Sequence, residues 1–213
     1  MREHKLDNDT LMGAWFMPKK LCNDITKKMD KSALVPGMMY NTGSGQVVDK
    51  NAKESFEMAI HHFENDEPWK TYKTKLYDIL KLYIKKYPDI HNNAEFGLGE
   101  PFNTQKYPIG GGFKIWHYEN DFQTFNYDRC LVFMTYLNDV EDGGTSFKYQ
   151  GIDIPAKKGL TLIWPAYWTH THKGIVSKTK EKYIITGWFN FINHRQKQIR
   201  EGTTQPEKPA LLA

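Results

Sequence analysis

The chain has 213 residues, 39% hydrophobic and 14% aromatic, which is enough apolar material for a buried core and excludes wholesale disorder. Its 29 basic and 25 acidic residues leave a net charge of +4, half of it in the last twenty residues, where Arg195, Lys197, Arg200 and Lys208 outnumber Glu201 and Glu207. The body is therefore nearly neutral, a poor match to the basic, aromatic-interleaved stripe of a nucleic-acid binder. No apolar run is long enough to span a bilayer, and the first residues carry no apolar leader segment.

Cys22 and Cys130 are the two cysteines and form no CxxC pair, so a disulfide scaffold and a cysteine zinc site are excluded by count. Each reads as a small buried hydrophobe in a reducing, cytoplasmic protein. Nothing in the pattern calls for a membrane, a nucleic acid or a second subunit, so the expectation is a monomer. The organisation reads as a single domain over residues 1–193, with helical support at about 14–90 and a strand-rich core at about 100–193. A polar tail follows at 194–213.

Pro18 suits a first helical position, and Leu21, Ile25 and Met29 follow at helical spacing. The lysines of this segment are interrupted by Asp24 and Asp30, as expected of a solvated helix face. Val35-Pro36-Gly37 ends the element. Residues 37–53, rich in Gly, Asn and Asp, read as a long loop, of which 41–53 could close over a site. A second helical stretch is expected after Ser55, a candidate N-cap for Phe56, Ile60 and Phe63. The clearest helix starts at Pro68, carries Trp69, Tyr72, Leu76, Ile79, Leu80, Tyr83 and Tyr87 on one face, and is stopped by Pro88.

From about residue 102 the period changes to two. Strands are expected near Phe102–Tyr107, Phe113–Glu119, Cys130–Leu137, Ser146–Tyr149, Gly159–Trp164 and Lys182–Ile192, with glycine turns at 110–112, 143–144, 159 and 174. Helices first and strands later predict an α+β layering, the helices buttressing a sandwich, jelly roll or barrel.

The chemistry-bearing residues sit in the strand-rich part. In a strand, His117 and Glu119 would share a face and Tyr118 would point away. One imidazole and one carboxylate supply two ligands of a facial triad. A second histidine has to come from a distant strand, and His170 and His172 are equally placed by spacing alone. Lys182 lies in an otherwise apolar strand with Tyr183, Ile184, Ile185, Trp188 and Phe189, where a buried ammonium needs an anion.

These pieces together resemble the iron(II)/2-oxoglutarate-dependent dioxygenases of the prolyl 4-hydroxylase-like branch, from about Tyr107 to Phe191. Tyr107 stands ten residues before His117, followed by His117-Tyr118-Glu119 where the family has H-x-D. Arg129 leads into Tyr136-Leu137-Asn138. An acidic glycine turn runs from Glu141 to Phe147, and Pro155 to Gly159 forms the next turn. His172 lies ten residues before Lys182, and Lys182 six before Trp188, so the resemblance selects His172 over His170, which is left as a neighbouring or substrate-facing candidate.

The resemblance implies a double-stranded β-helix with a metal in its mouth. It implies iron(II) held by His117, Glu119 and His172, with 2-oxoglutarate and O₂ as cosubstrates and ascorbate as an optional addition. Lys182 would pair with the remote carboxylate of 2-oxoglutarate, and Tyr136 would donate to it. Tyr107 would contact the metal-bound end of the cosubstrate, and Trp188 would wall the site. Glu119 in place of Asp keeps the ligand type and argues against halogenation, which needs the carboxylate removed. The expected activity is hydroxylation of a C–H bond in a prolyl residue of a peptide or protein, with release of succinate and CO₂. Hydroxylation of another residue or a small molecule, and a non-catalytic jelly-roll binding module, are the competing readings.

Overall fold

The computed structural model describes residues 1–41, 45–92, 94–121 and 126–192. The predicted tail, 194–213, lies outside the described residues.

The chain opens with β1 (Gly13–Phe16) and α1 (Lys19–Asp30), then the short strands β2 (Val35–Pro36), β3 (Met39–Asn41), β4 (Gly45–Val47), β5 (Lys53–Glu54) and β6 (Phe56–Ile60). The long helix α2 (Trp69–Lys86) and the single-turn α3 (Asp89–Asn92) follow. The remainder is stranded: β7 (Phe96–Gly97), β8 (Phe102–Tyr107), β9 (Gly112–Phe113), β10 (Arg129–Tyr136), β11 (Val140–Phe147), β12 (Ile152–Ala156), β13 (Leu160–Pro165), β14 (His172–Ile175) and β15 (Lys182–Phe191). No helix among the described residues is long and apolar enough to cross a membrane.

A large antiparallel sheet runs β1-β13-β10-β15-β8-β6-β2, with β7 beside β15; a small sheet runs β12-β11-β14. Together they form the double-stranded β-helix, an α+β fold with helices on one outer face. The large sheet is buried on both sides because the period of two sends successive residues to different cores. On β10, Leu131 and Phe133 join the helix-side cluster, while Val132, Met134 and Tyr136 join the cluster enclosed between the two sheets. That strand therefore reads as a nearly continuous apolar run.

The helices cover the outer face as their spacing predicts. Leu21, Ile25 and Met29 of α1 and Tyr72, Leu76, Ile79, Leu80 and Tyr83 of α2 are all buried against the sheet. Each full burial of such a side chain stabilises by roughly 1.5–3 kcal/mol. Beneath α2 the buried Tyr72 hydroxyl meets Thr135 Oγ1 at 3.1 Å, and Thr135 meets Thr161 at 2.9 Å, so the polar atoms at this interface are paired.

The expected helix after Ser55 is instead strand β6, which pairs with β8 from Phe56↔Lys106 to Ile60↔Phe102. Ser55 caps nothing; its hydroxyl donates to Glu57 Oε1 at 2.7 Å. The apolar spacing misled because Phe56 and Phe63 are both exposed, leaving Ile60 as the one buried member of the trio. Pairing with β8 overrides the local pattern. The loop expected over 37–53 contains the ladder of β3 and β4 and the strand β5, which pairs with β9. Strands β1, β12 and β14 were also not expected; β1 binds the sheet edge against β13.

Candidate metal centre and its cavity

The segment expected as one strand over Phe113–Glu119 is stranded only at Gly112–Phe113 in β9. His117 is nonetheless fixed by its backbone. Its N–H donates to His172 O at 3.0 Å, and the His172 N–H donates to His117 O at 2.9 Å. This reciprocal pair sets the two histidines directly opposite each other across the barrel mouth. Both Glu119 and Asn120 then donate their N–H to Ala166 O at 3.0 Å, turning the chain so that the Glu119 carboxylate faces the two rings.

The side-chain donors converge. Glu119 Oε1 lies 3.5 Å from His117 Nε2 and 3.6 Å from His172 Nε2, and the three ligand atoms lie within 4.8 Å of one another. Each imidazole is oriented by its other nitrogen. His117 Nδ1 donates to Ile115 O at 3.0 Å and His172 Nδ1 to His170 O at 2.9 Å, which leaves both Nε2 lone pairs aimed at the same point as the carboxylate. Ring packing adds to this: His117 stacks on Phe113 at 3.6 Å, and Trp164 meets His172 edge-on at 5.2 Å.

Burial, and then the neighbouring His172, lower the pKa of His117. Burial alone would raise that of Glu119, but the two imidazoles beside its carboxylate take it well below the ordinary carboxylate value. Two imidazole nitrogens and one carboxylate oxygen facing one spot are electrostatically favourable around a cation. This donor set suits a divalent iron-type ion with open coordination positions, so the residues present fit the group.

The triad opens into a cavity of about 390 Å³. Strand register builds its wall. Glu57, Gln105, Ile184 and Tyr136 form one row across β6, β8, β15 and β10, Asn103, Thr186 and Met134 the next, and Tyr107 lies beside Lys182. All of these side chains line the cavity, as do Trp164 and Trp188. Tyr107, His117, Glu119, Tyr136, His172, Lys182 and Trp188 are thus brought to one cavity.

Lys182 is 4% exposed. Its Nζ donates to Gly144 O at 3.2 Å and Ile175 O at 2.9 Å and lies 5.3 Å from the centre of the Tyr107 ring. Among the described residues no carboxylate comes within ion-pair distance of it. Desolvation lowers its pKa to about 8. Gly174 lets β14 pass close to the chain at Phe113, whose backbone a Cβ would meet at 3.1 and 3.3 Å. The Tyr136 hydroxyl pairs with Thr145 Oγ1 at 2.7 Å, and Tyr107 donates to Gln105 Oε1.

His170 is corrected as a substrate-facing candidate. It is buried away from the cavity, with Nε2 on Thr10 O at 2.8 Å and Nδ1 on Thr169 Oγ1 at 3.0 Å. Its contribution to the triad is its carbonyl oxygen, which orients His172. Sequence reasoning also missed the buried ion pair of Lys53 and Glu57 at 2.6 Å, which lines the cavity from β5 and β6. The i,i+4 spacing was visible, but in a segment read as loop and helix. Met38, Met39 and Gln46, from the segment read as a loop, also line the cavity.

Residues 102–190 match the 2OG-Fe(II) oxygenase superfamily. Among solved structures, a Pseudomonas putida prolyl-4-hydroxylase superposes with a TM-score of 0.61 at 16% identity, covering 87% of this chain and 99% of that one. The viral collagen prolyl hydroxylase of Paramecium Bursaria Chlorella virus-1, in its 2OG complex, gives 0.62 at 17% identity over 86% and 97%. A Trichoplax adhaerens prolyl hydroxylase in complex with a hypoxia inducible factor peptide fragment gives 0.64 at 14% identity over 93% and 89%. No curated protein matches the sequence.

Proposed function

We propose that this chain, whose residues 102–190 match the 2OG-Fe(II) oxygenase superfamily, hydroxylates a C–H bond of a prolyl residue in a peptide or protein, forming succinate and CO₂ from 2-oxoglutarate. The observation that carries the reading is the pairing, in one cavity, of a two-histidine, one-carboxylate cluster with a buried ammonium that has no carboxylate within ion-pair distance among the described residues. A non-catalytic binding module has no use for that ammonium.

His117 and His172 would hold the iron through Nε2 and Glu119 through a carboxylate oxygen, which would offset one of the two positive charges. The chemistry such an ion would supply there is O₂ activation coupled to oxidative decarboxylation of 2-oxoglutarate. Lys182 binds the remote carboxylate of 2-oxoglutarate, and Tyr136 turns its hydroxyl proton toward the same group. Tyr107 and Gln105 would face the cosubstrate from β8. Trp164, Met134, Ile184 and Trp188 keep water from the reacting centre. The fold shared with a prolyl hydroxylase that carries a bound peptide supports a peptide or protein as substrate. The buried free thiols of Cys22 and Cys130 support a reducing, cytoplasmic setting, and a monomer is the working state.

The test is incubation with iron(II), 2-oxoglutarate and a library of proline-containing peptides. A mass gain of one oxygen on proline, with one succinate per hydroxylation, is the expected result. Oxygen incorporation on another residue or on a free small molecule would move the substrate within the same chemistry. Absence of succinate formation with every substrate class would remove the enzymatic reading.

A further inference from the structure

Glu119 has one more methylene than an aspartate and one more rotatable bond, so a glutamate ligand has to be constrained before it can present a fixed oxygen. The structure shows that constraint. Glu119 Oε1 faces the two histidines, whereas Oε2 accepts the Trp188 Nε1–H at 3.1 Å and lies 3.7 Å from Arg129 Nη1. The same Arg129 Nη1 donates to the Glu119 backbone oxygen at 3.3 Å. The residue is therefore gripped at both ends.

The gripping groups are themselves held. The Arg129 guanidinium lies 3.5 Å over the Trp188 ring, so the two support each other face to face. Its Nε and Nη2 form a two-point pair with Glu100 at 2.8 and 2.7 Å, and Asn190 Nδ2 donates to the same Glu100 at 2.9 Å. Arg129 opens β10 and Trp188 and Asn190 lie near the end of the adjacent β15, so the assembly is mounted on paired strands rather than on a loop.

We infer that Trp188 and Arg129 are positioning residues that hold Glu119 as a one-oxygen ligand, with Oε2 withheld from the metal, and that this pair makes glutamate serviceable at this position. The inference rests on the metal reading of the triad. Its consequence is geometric. A carboxylate held through one oxygen leaves three positions of an octahedral ion for cosubstrates. One that swung to bind through both oxygens would occupy one of them. An aspartate at 119, shorter by one bond of ~1.5 Å, cannot keep Oε2's partner on Trp188 and still reach the point midway between the histidines.

The test uses cobalt(II) as a spectroscopic stand-in, with affinity by calorimetry and coordination number from the visible d–d absorption. Trp188→Phe keeps the ring under Arg129 and removes the N–H. The expected result is a metal affinity lower by ~10- to 100-fold, as for other partners of metal ligands, with a changed d–d spectrum. In a Glu119→Asp background the same substitution should cost nothing further. Arg129→Lys, which keeps the charge and loses the planar fork, provides a second reading should Trp188→Phe not fold, and is expected to weaken binding and change the spectrum. Wild-type affinity and spectrum in the folded variants, or an equal penalty in both backgrounds, overturns the inference while the triad reading stands. Failure of the wild type to bind metal, or unchanged binding in His172→Ala, overturns the triad reading and this inference with it.

Discussion

Lys182 provides a quantitative test of the proposed cosubstrate site. Its ammonium is held by two carbonyl oxygens, and burial lowers its pKa from 10.5 to about 8. Between those values the unfolded chain binds the proton and the native ligand-free protein does not, so stability rises with pH across that window. Below about pH 8 the buried charge exacts its full cost, on the order of 3 kcal/mol, of which about 1 kcal/mol is relieved on going from about pH 7 to about pH 9. Binding of a carboxylate needs the charged form. The protonated fraction falls from about nine-tenths to about one-tenth over that interval, so 2-oxoglutarate should bind about tenfold more weakly at the upper end. Lys182→Arg keeps its charge throughout and should flatten the dependence. The assay is calorimetric titration of 2-oxoglutarate into cobalt-loaded protein without oxygen at both pH values. An unchanged affinity in the wild type, or an equally steep loss in Lys182→Arg, would refute the assignment.

Removing one member of the Lys53–Glu57 pair, by Lys53→Met or Glu57→Leu, leaves a buried charge unpaired and should cost about 3–5 kcal/mol in urea unfolding, with most of the loss recovered in the double variant. His170→Ala should lower stability by roughly 1–3 kcal/mol through the orphaned Thr10 carbonyl, while metal affinity is kept, because His172 is oriented by a backbone oxygen. Tyr72→Phe should cost about 1 kcal/mol in thermal or urea unfolding by deleting the hydroxyl that meets Thr135 beneath α2.

The parts of this architecture that were legible in the sequence share a physical basis. The faces of α1 and α2 and the strands β8, β10, β13 and β15 follow their periodicity because one side of each is buried against apolar partners. The β6 strand was missed because its register with β8, not its own pattern, decides its form. His117, Glu119 and His172 do lie together, but a shared strand face is not what joins them. His117 and Glu119 meet outside any extended strand, brought together by the backbone pairing of His117 with His172 and by the two N–H groups on Ala166 O. Spacing alone left His170 and His172 equivalent; the bond of His170 to Thr10, 160 residues away in the chain, separates them. The Trp188 and Arg129 grip on Glu119 is a tertiary feature of the same kind, with no local signal.

The most direct test of the account is anaerobic addition of iron(II) and 2-oxoglutarate, followed by the visible metal-to-ligand charge-transfer band of the ternary complex. The account predicts the band in the wild type and in His170→Ala, and its loss in His117→Ala, Glu119→Ala and His172→Ala. A folded, iron-loaded wild type without the band, or a band that survives in His172→Ala, would contradict it.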